Sequence, residues 1–372
     1  MPATALSKTA FCKTATLRIA LAKICLVGLL FLMQATGAWA WGYQGHRVVG
    51  SIADHLLNPN AKAQVQQILN AGDSHNLDLR KSGPWPDCVK SVVRHPNDTF
   101  EYVVNPEHYD FEVPCRPFKS EAERARMVDY ASRNWSNCLY QPDGPDKPPS
   151  GCHNTFHFED VAIQRNNFDR SFQGTNDHDL VAAIVAAIAV LQDKPVPPPF
   201  PFSIKDKKEA LMLLTHFVGD LHQPLHVGSV YLDPDGKLVD PDIAHAIDPK
   251  TETHGGNTIH DQNVNLHGEW DDIPTDLGDA ATRELLAEAR SVPPSQGPIE
   301  GWPAEWATDT LLVAHHAFEG LSYQHEPPPK TQWTVSFDDH TAYLWLADIT
   351  KRRQLAKGGA RLAEILNTIW PP

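Results

Sequence analysis

The sequence has no cationic excess. Its 32 lysines and arginines stand against 46 aspartates and glutamates, giving a formal net charge of −14. That argues against a protein that grips nucleic acid by a basic surface. It does not argue against a hydrolase that handles phosphates with bound cations, because metal ions reverse the local field. A membrane-spanning stretch is also lacking. The apolar run from Ile24 to Met33 is shorter than the ~20 residues a spanning helix needs, and no other segment reads as transmembrane. Little of the chain alternates apolar and polar residues with period two, which argues against a sheet-dominated fold. No cysteine pair has the tight CxxC spacing of a cysteine zinc site.

What is present begins at the N-terminus. Lys8, Lys13, Arg18 and Lys23 form a basic region without an acid, the apolar run follows, and Ala38-Trp39-Ala40 reads as a small-x-small cleavage site. Residues 1–40 are therefore expected to be a secretory signal peptide, with Trp41 the first residue of the mature protein. Removing the four positive charges takes the net charge from −14 to −18. Cys12 and Cys25 leave with the signal, while Cys88, Cys115, Cys138 and Cys152 remain. Four cysteines in an exported chain predict two disulfides, and three pairings stay open. A secreted or periplasmic location follows.

The fold class is expected to be mainly α, in one catalytic domain over 41–372. Helices are predicted over Val48–Leu57, Pro59–Leu69, Glu121–Asn137, Asp179–Leu191, Ile204–Leu221, Asp276–Arg290, Pro303–Leu321 and Asp338–Trp370, the last broken near Gly358-Gly359. DLVAAIVAAIAVL is apolar almost all round and so should be a buried central helix. Three stretches read as excursions: a cysteine-bearing insertion at about 94–152, a proline-rich connector over Lys194–Pro201, and a long surface loop over Tyr231–Thr253.

Chemistry concentrates in HFVGDLHQPLH. His216 and Asp220 stand four apart on a helix and so share a face, and His226 lies just beyond the helix-ending Pro224. NLHGEWD repeats the spacing with His267 and Asp271. Imidazole plus carboxylate is the ligand set zinc takes in hydrolytic sites. A single HxxxD pair is commonly a solvated ion pair, but two in apolar helix sequence with an extra histidine point to metal.

These motifs carry a specific resemblance. WGYQGH at the expected mature start, HFVGDLHQPLH, HGGN over His254–Asn257 and NLHGEWD stand in the same order as in the S1/P1 nuclease family. The chain resembles that family from Trp41 to about Asp271. The resemblance implies a helical domain like that of phospholipase C and P1 nuclease, with three zinc ions in a cleft. It places one zinc on Asp87, His157, His216 and Asp220. A second falls on His46, Asp220 and the amino group and carbonyl of Trp41, and a third on His226, His267 and Asp271. A free α-amine and its own carbonyl form a five-membered chelate ring, and an amine pKa near ~8 allows the proton to leave beside a metal. His108 competes with His157, but Asp160 supplies the acid that the family has three residues later, where position 111 is Phe. By the same resemblance Lys90 lies near the scissile phosphate, Phe158 stacks on a base, Asp160 hydrogen-bonds its edge and Asn257 lines that pocket. His222 reads as a structural residue or as a support behind the ligands, not as a ligand itself.

The implied activity is hydrolysis of single-stranded DNA or RNA to 5′-phosphorylated products by a monomer with no membrane anchor, with 3′-nucleotidase activity on mononucleotides. A zinc phospholipase C is the nearest alternative. That family has Glu where this sequence has Asp271. A zinc-binding protein without catalysis is the other, and its mark would be closed coordination at every metal.

Overall fold

Local sequence fixes most helix starts. In the computed structural model, which describes residues 41–72, 76–104, 113–136, 151–197, 202–326 and 332–372, helix after helix opens on a side chain that accepts a backbone N–H two or three residues on. Asn58, Asp78, Ser120, Asp179, Asp206, Asp240, Asn265, Thr282 and Asp339 all cap in this way. The twelve α-helices among the described residues are α1 (Tyr43–Leu56), α2 (Pro59–Leu69), α3 (Leu79–Ser82), α4 (Trp85–Val89), α5 (Glu121–Arg133), α6 (Leu180–Leu191), α7 (Lys207–Leu221), α8 (Pro241–Ala244), α9 (Leu266–Asp271), α10 (Arg283–Ser291), α11 (Trp302–Ala317) and α12 (His340–Ile369). The fold is mainly α, as expected from the sequence. No helix among the described residues is long and apolar enough to cross a membrane.

Helix α7 lies at the centre. Every residue from Lys208 to Leu221 is buried, and α6, apolar on nearly all sides, packs along it. Helix α1 packs chiefly on the long C-terminal α12, and both also pack against α7. The main core joins these four through Val48, Ile52, Ile184, Leu214, Leu355 and Leu362, all inaccessible.

Three expectations need correction. Helix α12 is not broken at Gly358-Gly359 but runs unbroken from His340 to Ile369. The glycines serve close approach instead, since a Cβ on Gly359 would lie 2.4 Å from Ile52 Cβ. The Tyr231–Thr253 stretch is not a plain surface loop. It pairs β5 (Tyr231–Leu232) with β6 (Leu238–Val239), and Tyr231, Leu232 and Thr253 are buried. Helix α10 starts at Arg283, seven residues later than expected, because Thr282 caps it there.

A four-stranded sheet was also not foreseen. Its order is β8 (Val264–Asn265), β7 (Ile259–Asp261), β10 (Trp333–Phe337) and β9 (Leu321–His325), with β7 and β10 parallel and the other neighbours antiparallel. Trp333 and Val335 face a second apolar cluster with Leu225, Leu266 and Trp270, while Thr334 and Ser336 face out. Two-residue strands β3 (Val161–Ala162) and β4 (Gly228–Ser229) pair in parallel, tying the segment after His157 to the segment after His226. A further hairpin, β1 (Val92–Arg94) and β2 (Phe100–Tyr102), opens the cysteine-bearing insertion. Cys88 and Cys115 form a disulfide, and Cys152 is disulfide-bonded as well. The expected signal peptide, His108, Cys138 and part of the proline-rich connector lie outside the described residues.

Candidate metal centre

Five segments converge on one end of α7. Its last two turns present His216 and Asp220, and the helix stops at Leu221. A 3-10 turn over Pro224–His226 then turns His226 back toward the cleft. Helix α1 supplies His46, the short α4 supplies Asp87, and α9 supplies His267 and Asp271. His157 follows another 3-10 turn, Cys152–Thr155. All eight of these side chains are buried.

Imidazole nitrogens meet face to face here. His216 Nε2 lies 2.9 Å from His157 Nδ1, and His267 Nε2 lies 3.1 Å from His226 Nε2. Nitrogens that share a tetrahedral zinc at about 2.0–2.1 Å are themselves about 3.3 Å apart, so each pair spans close to one edge of such a coordination sphere.

The far side of each ring fixes its orientation. His216 Nδ1 is 2.8 Å from Gly83 O, His226 Nδ1 is 2.7 Å from His157 O, and His267 Nδ1 is 2.8 Å from Gly255 O. A carbonyl accepts, so each Nδ1 carries the proton and each Nε2 is left with its lone pair directed into the site.

Carboxylates complete both groups. Asp220 Oδ1 lies 3.3 Å from His46 Nε2, while its Oδ2 lies 3.0 Å from His157 Nδ1 and 3.2 Å from His216 Nε2. The two oxygens of one carboxylate therefore face two different sets of imidazoles, the geometry of a bridging ligand. Asp87 Oδ1 is 3.7 Å from His216 Nε2 and 2.8 Å from Lys90 Nζ. In the second group Asp271 Oδ2 is 3.6 Å from His267 Nε2, and its Oδ1 is held at 2.6 Å by Gln223 Nε2. Asp220 Oδ1 and Asp271 Oδ2 are buried and accept no hydrogen bond of normal geometry. Buried carboxylate oxygens in that state are costly unless a cation joins them. The donor set thus fits divalent metal, in three groups of ligand atoms: His46, His216 and Asp220; Asp87, His157 and His216; His226, His267 and Asp271.

Trp41 is fully buried beside this cleft. Gly45 lets α1 approach it, since a Cβ there would lie 2.8 Å from Trp41 Cβ. The next amide, Gly42 N, donates to Asp271 O at 2.9 Å, tying the expected mature start to the His267–Asp271 helix.

The protein alone resists charging these groups. Burial holds the His157 imidazole well below its ordinary range, with Lys90 adding to the effect. Burial pushes His267 down to about 4, lowers His226, and lifts Asp271 to about 7. Burial also raises Asp220. His216 differs. Burial pulls it down, but Asp220 and then Asp87 outweigh that and raise it. A metal would therefore meet His157, His226 and His267 already neutral, and would compete with the proton that burial favours on Asp220 and Asp271.

The residues expected to meet a base are buried or half-buried. Phe158 is half-buried, and its carbonyl accepts from Leu180 N. Asp160 is buried, and Tyr231 Oη donates to its carbonyl at 2.6 Å. Burial and then the nearby Glu252 push its carboxyl well above the usual range, against hydrogen bonds from Ser229 and the Gly255 amide. Asn257 Nδ2 donates to His254 O at 2.7 Å. Ligand atoms of Asp160, Glu252 and His254 lie within 4.8 Å of one another.

Several contributors escaped sequence reasoning: Gln223, Glu252 and the carbonyls of Gly83 and Gly255. Gln223 sits inside HFVGDLHQPLH, so its motif was a signal. The carbonyls had none. His222 is structural, as expected, with Nδ1 on Val218 O at 2.7 Å and Nε2 2.9 Å from Arg361.

A protein-family model described as S1/P1 Nuclease matches residues 41–371. Endonuclease 4 of Arabidopsis thaliana is 24% identical over 360 residues, covering 92% of this chain and 93% of that protein. Nuclease P1 of Penicillium citrinum is 25% identical over 354 residues, covering 88% and 97%. Nuclease PA3 from Penicillium is also 25% identical, over 357 residues, with 88% and 97% covered.

Proposed function

This chain belongs to the S1/P1 nuclease family, and from that premise we propose that it is a secreted, zinc-dependent nuclease that cuts single-stranded DNA or RNA to 5′-phosphorylated products as a monomer and removes 3′-phosphate from nucleotides. Family membership makes it a hydrolase of phosphodiester bonds acting on nucleic acid, and a metal-dependent one. The observation that carries the reading is the pair of buried imidazole–carboxylate groups hung on one end of α7.

The ligands proposed are Asp87, His157, His216 and Asp220 for one ion, Trp41, His46 and Asp220 for a second, and His226, His267 and Asp271 for a third. Ions held there would supply a water acidic enough to lose its proton near neutral pH and positive charge against the phosphate oxygens. The chain's own residues do the rest. Asp220 fixes the relative position of two ligand sets, because its two oxygens face different imidazoles. Lys90 holds a cation 2.8 Å from Asp87, where it neutralises charge on the phosphate or the departing oxygen. The ring of Phe158 stacks on any base, so sequence preference is slight, while Asp160 and Asn257 meet the base edge. A base must leave its duplex stack to enter, which favours single strands. The signal over 1–40 makes Trp41 the first residue and frees its amine.

Protein that begins at Trp41 tests this with a single-stranded oligonucleotide, the matching duplex and phosphatidylcholine, each with and without a chelator. Chelator-sensitive cleavage of the single strand with the lipid untouched is expected. Lipid cleavage alone would move the site to phospholipase C chemistry, and no cleavage of any substrate despite bound zinc would leave a metal-binding protein without catalysis.

A further inference from the structure

We propose that a cationic cavity beside the metal centre, walled by Arg47, Arg80, Lys81 and Arg116, is a second phosphate site that holds the backbone of the single strand a few nucleotides from the cut. The proposal rests on the nuclease reading above. The cavity measures about 390 Å³, and its lining is completed by Val113 and Pro117; among the described residues no acidic side chain is part of the lining, while Asp279 and Asp78 flank three of its cations. In a chain with net charge −14, four cations around one hollow run against the general field, which elsewhere repels a polyanion.

The site is preorganised. Arg47 Nη1 is 2.9 Å from Asp279 Oδ2, and Arg80 bonds the same carboxylate through Nη2 and the Asp279 carbonyl through Nε, at 2.7 Å. Two guanidiniums share one carboxylate, so the pair keeps a surplus positive charge with its geometry already fixed. Arg47 Nε is buried and has no hydrogen-bond partner. Lys81 Nζ donates to Asn76 O at 2.6 Å and stands 3.9 Å from Asp78, at the edge of ion-pair range.

The same segments build the cavity and the metal centre. Arg47 follows His46. Arg80 and Lys81 sit on α3, which runs into Gly83, whose carbonyl orients His216. Arg116 follows Cys115, whose disulfide partner Cys88 follows Asp87. The Cα–Cα distance across that bridge is 5.7 Å, and a step of ~3.8 Å on each side bounds Asp87 Cα to Arg116 Cα at about 13 Å. A phosphate chain anchored at the metals therefore has the cavity within a few nucleotides, and a dinucleotide, whose one internucleotide phosphate is the one cut, has none left for it.

The test uses zinc-loaded protein from Trp41 and oligothymidylates of graded length, from the dinucleotide to a dodecamer. The charge-reversal variant Lys81→Glu/Arg116→Glu leaves the Arg47–Asp279–Arg80 clamp in place. For the unaltered protein kcat/KM should rise with length. The variant should lose about tenfold on the dodecamer, keep the dinucleotide rate, and flatten the log–log salt dependence by about 1.4, the value for two lost contacts to a single strand. Lys81→Gln/Arg116→Gln should show the same pattern with a smaller loss, which guards against misfolding of the first variant. An unchanged length profile, or an equal loss at every length, overturns the proposal. Failure of the unaltered protein to cut any oligonucleotide in a chelator-sensitive way overturns the nuclease reading beneath it, which the length profile then distinguishes from failure of the cavity alone.

Discussion

Replacing Gln223 by leucine should weaken metal retention at the His226–His267–Asp271 group without touching a proposed ligand. The Gln223 side chain is fully buried and works at both ends. Its Nε2 donates to Asp271 Oδ1 at 2.6 Å, and its Oε1 accepts from Leu225 N at 2.6 Å. The first bond pins the carboxylate so that Oδ2 turns toward His267. The second holds the 3-10 turn that carries His226. Leucine fills similar space but leaves a buried carboxylate oxygen and a buried amide without partners. A hydrogen bond to a charged group contributes about 1.5–3 kcal/mol, and loss of such an orienting partner typically costs about 10–100-fold in metal affinity. The two estimates agree, since tenfold corresponds to about 1.4 kcal/mol. The assay is a chelator titration with metal per chain read by mass spectrometry, beside a thermal melt to separate unfolding from metal loss. We expect one fraction of the metal to leave at a chelator concentration at least tenfold lower, with the remainder unmoved. An unchanged titration in a folded variant would show that Gln223 orients nothing that matters.

Two further predictions concern stability. Gly359→Ala should destabilise by about 1–3 kcal/mol, because its Cβ would meet Ile52 at 2.4 and 2.5 Å and the overlap outweighs the ~1 kcal/mol that alanine adds to a helix. Gly358→Ala, whose nearest neighbour is Val49 Cγ2 at 3.3 Å, should stay within about 1 kcal/mol of the parent; denaturant melts that rank the two the other way would refute the packing argument. Asp54 is pushed up to about 6 by burial and then by Asp78. The folded state therefore prefers its protonated form, and its charge destabilises the fold above pH 6, a cost that fades as pH falls through 6 toward 3.8. Asp54→Asn should gain about 2 kcal/mol at pH 7.5, below the ~3 that the full shift implies because the site is partly solvated, and nothing near pH 4. Melts at the two pH values check this, and a gain independent of pH would rule it out.

Much of this was legible because the signals were local. Asp179 and Asp206 cap the helices that follow them, and DLVAAIVAAIAVL is too uniformly apolar to lie anywhere but inside. His216 and Asp220 share a face by spacing alone. Metal chemistry could be read there because two HxxxD pairs in apolar helices have few other uses. What sequence did not disclose depends on distant contacts. Gly358 and Gly359 look like a break until Ile52 is seen against them. Strands β9 and β10 are short, and β10 pairs with β7 some seventy residues earlier, so alternation in WTVSF carried little weight on its own. Glu252 meets Asp160 only through the folding back of a segment that composition marked as loop. Asp279 draws Arg47 and Arg80 together across more than two hundred residues in one case. His157 stands with His216 and Asp220, while its rival His108 lies outside the described residues.

His157 also has a second tie. Its ring nitrogen faces His216 and Asp220, while its main-chain oxygen receives the proton of His226 from the other group. One residue is thus hinged to both halves of the cleft, and the parallel pairing of β3 with β4 just beyond it braces the joint. The gap between the halves behaves like the opening of a calliper whose jaws share a rivet. Neither jaw can drift to suit a larger or smaller substrate while that rivet holds. A chain built this way should tolerate many bases and sugars at its periphery, yet demand one spacing between the atom that enters and the atom that leaves.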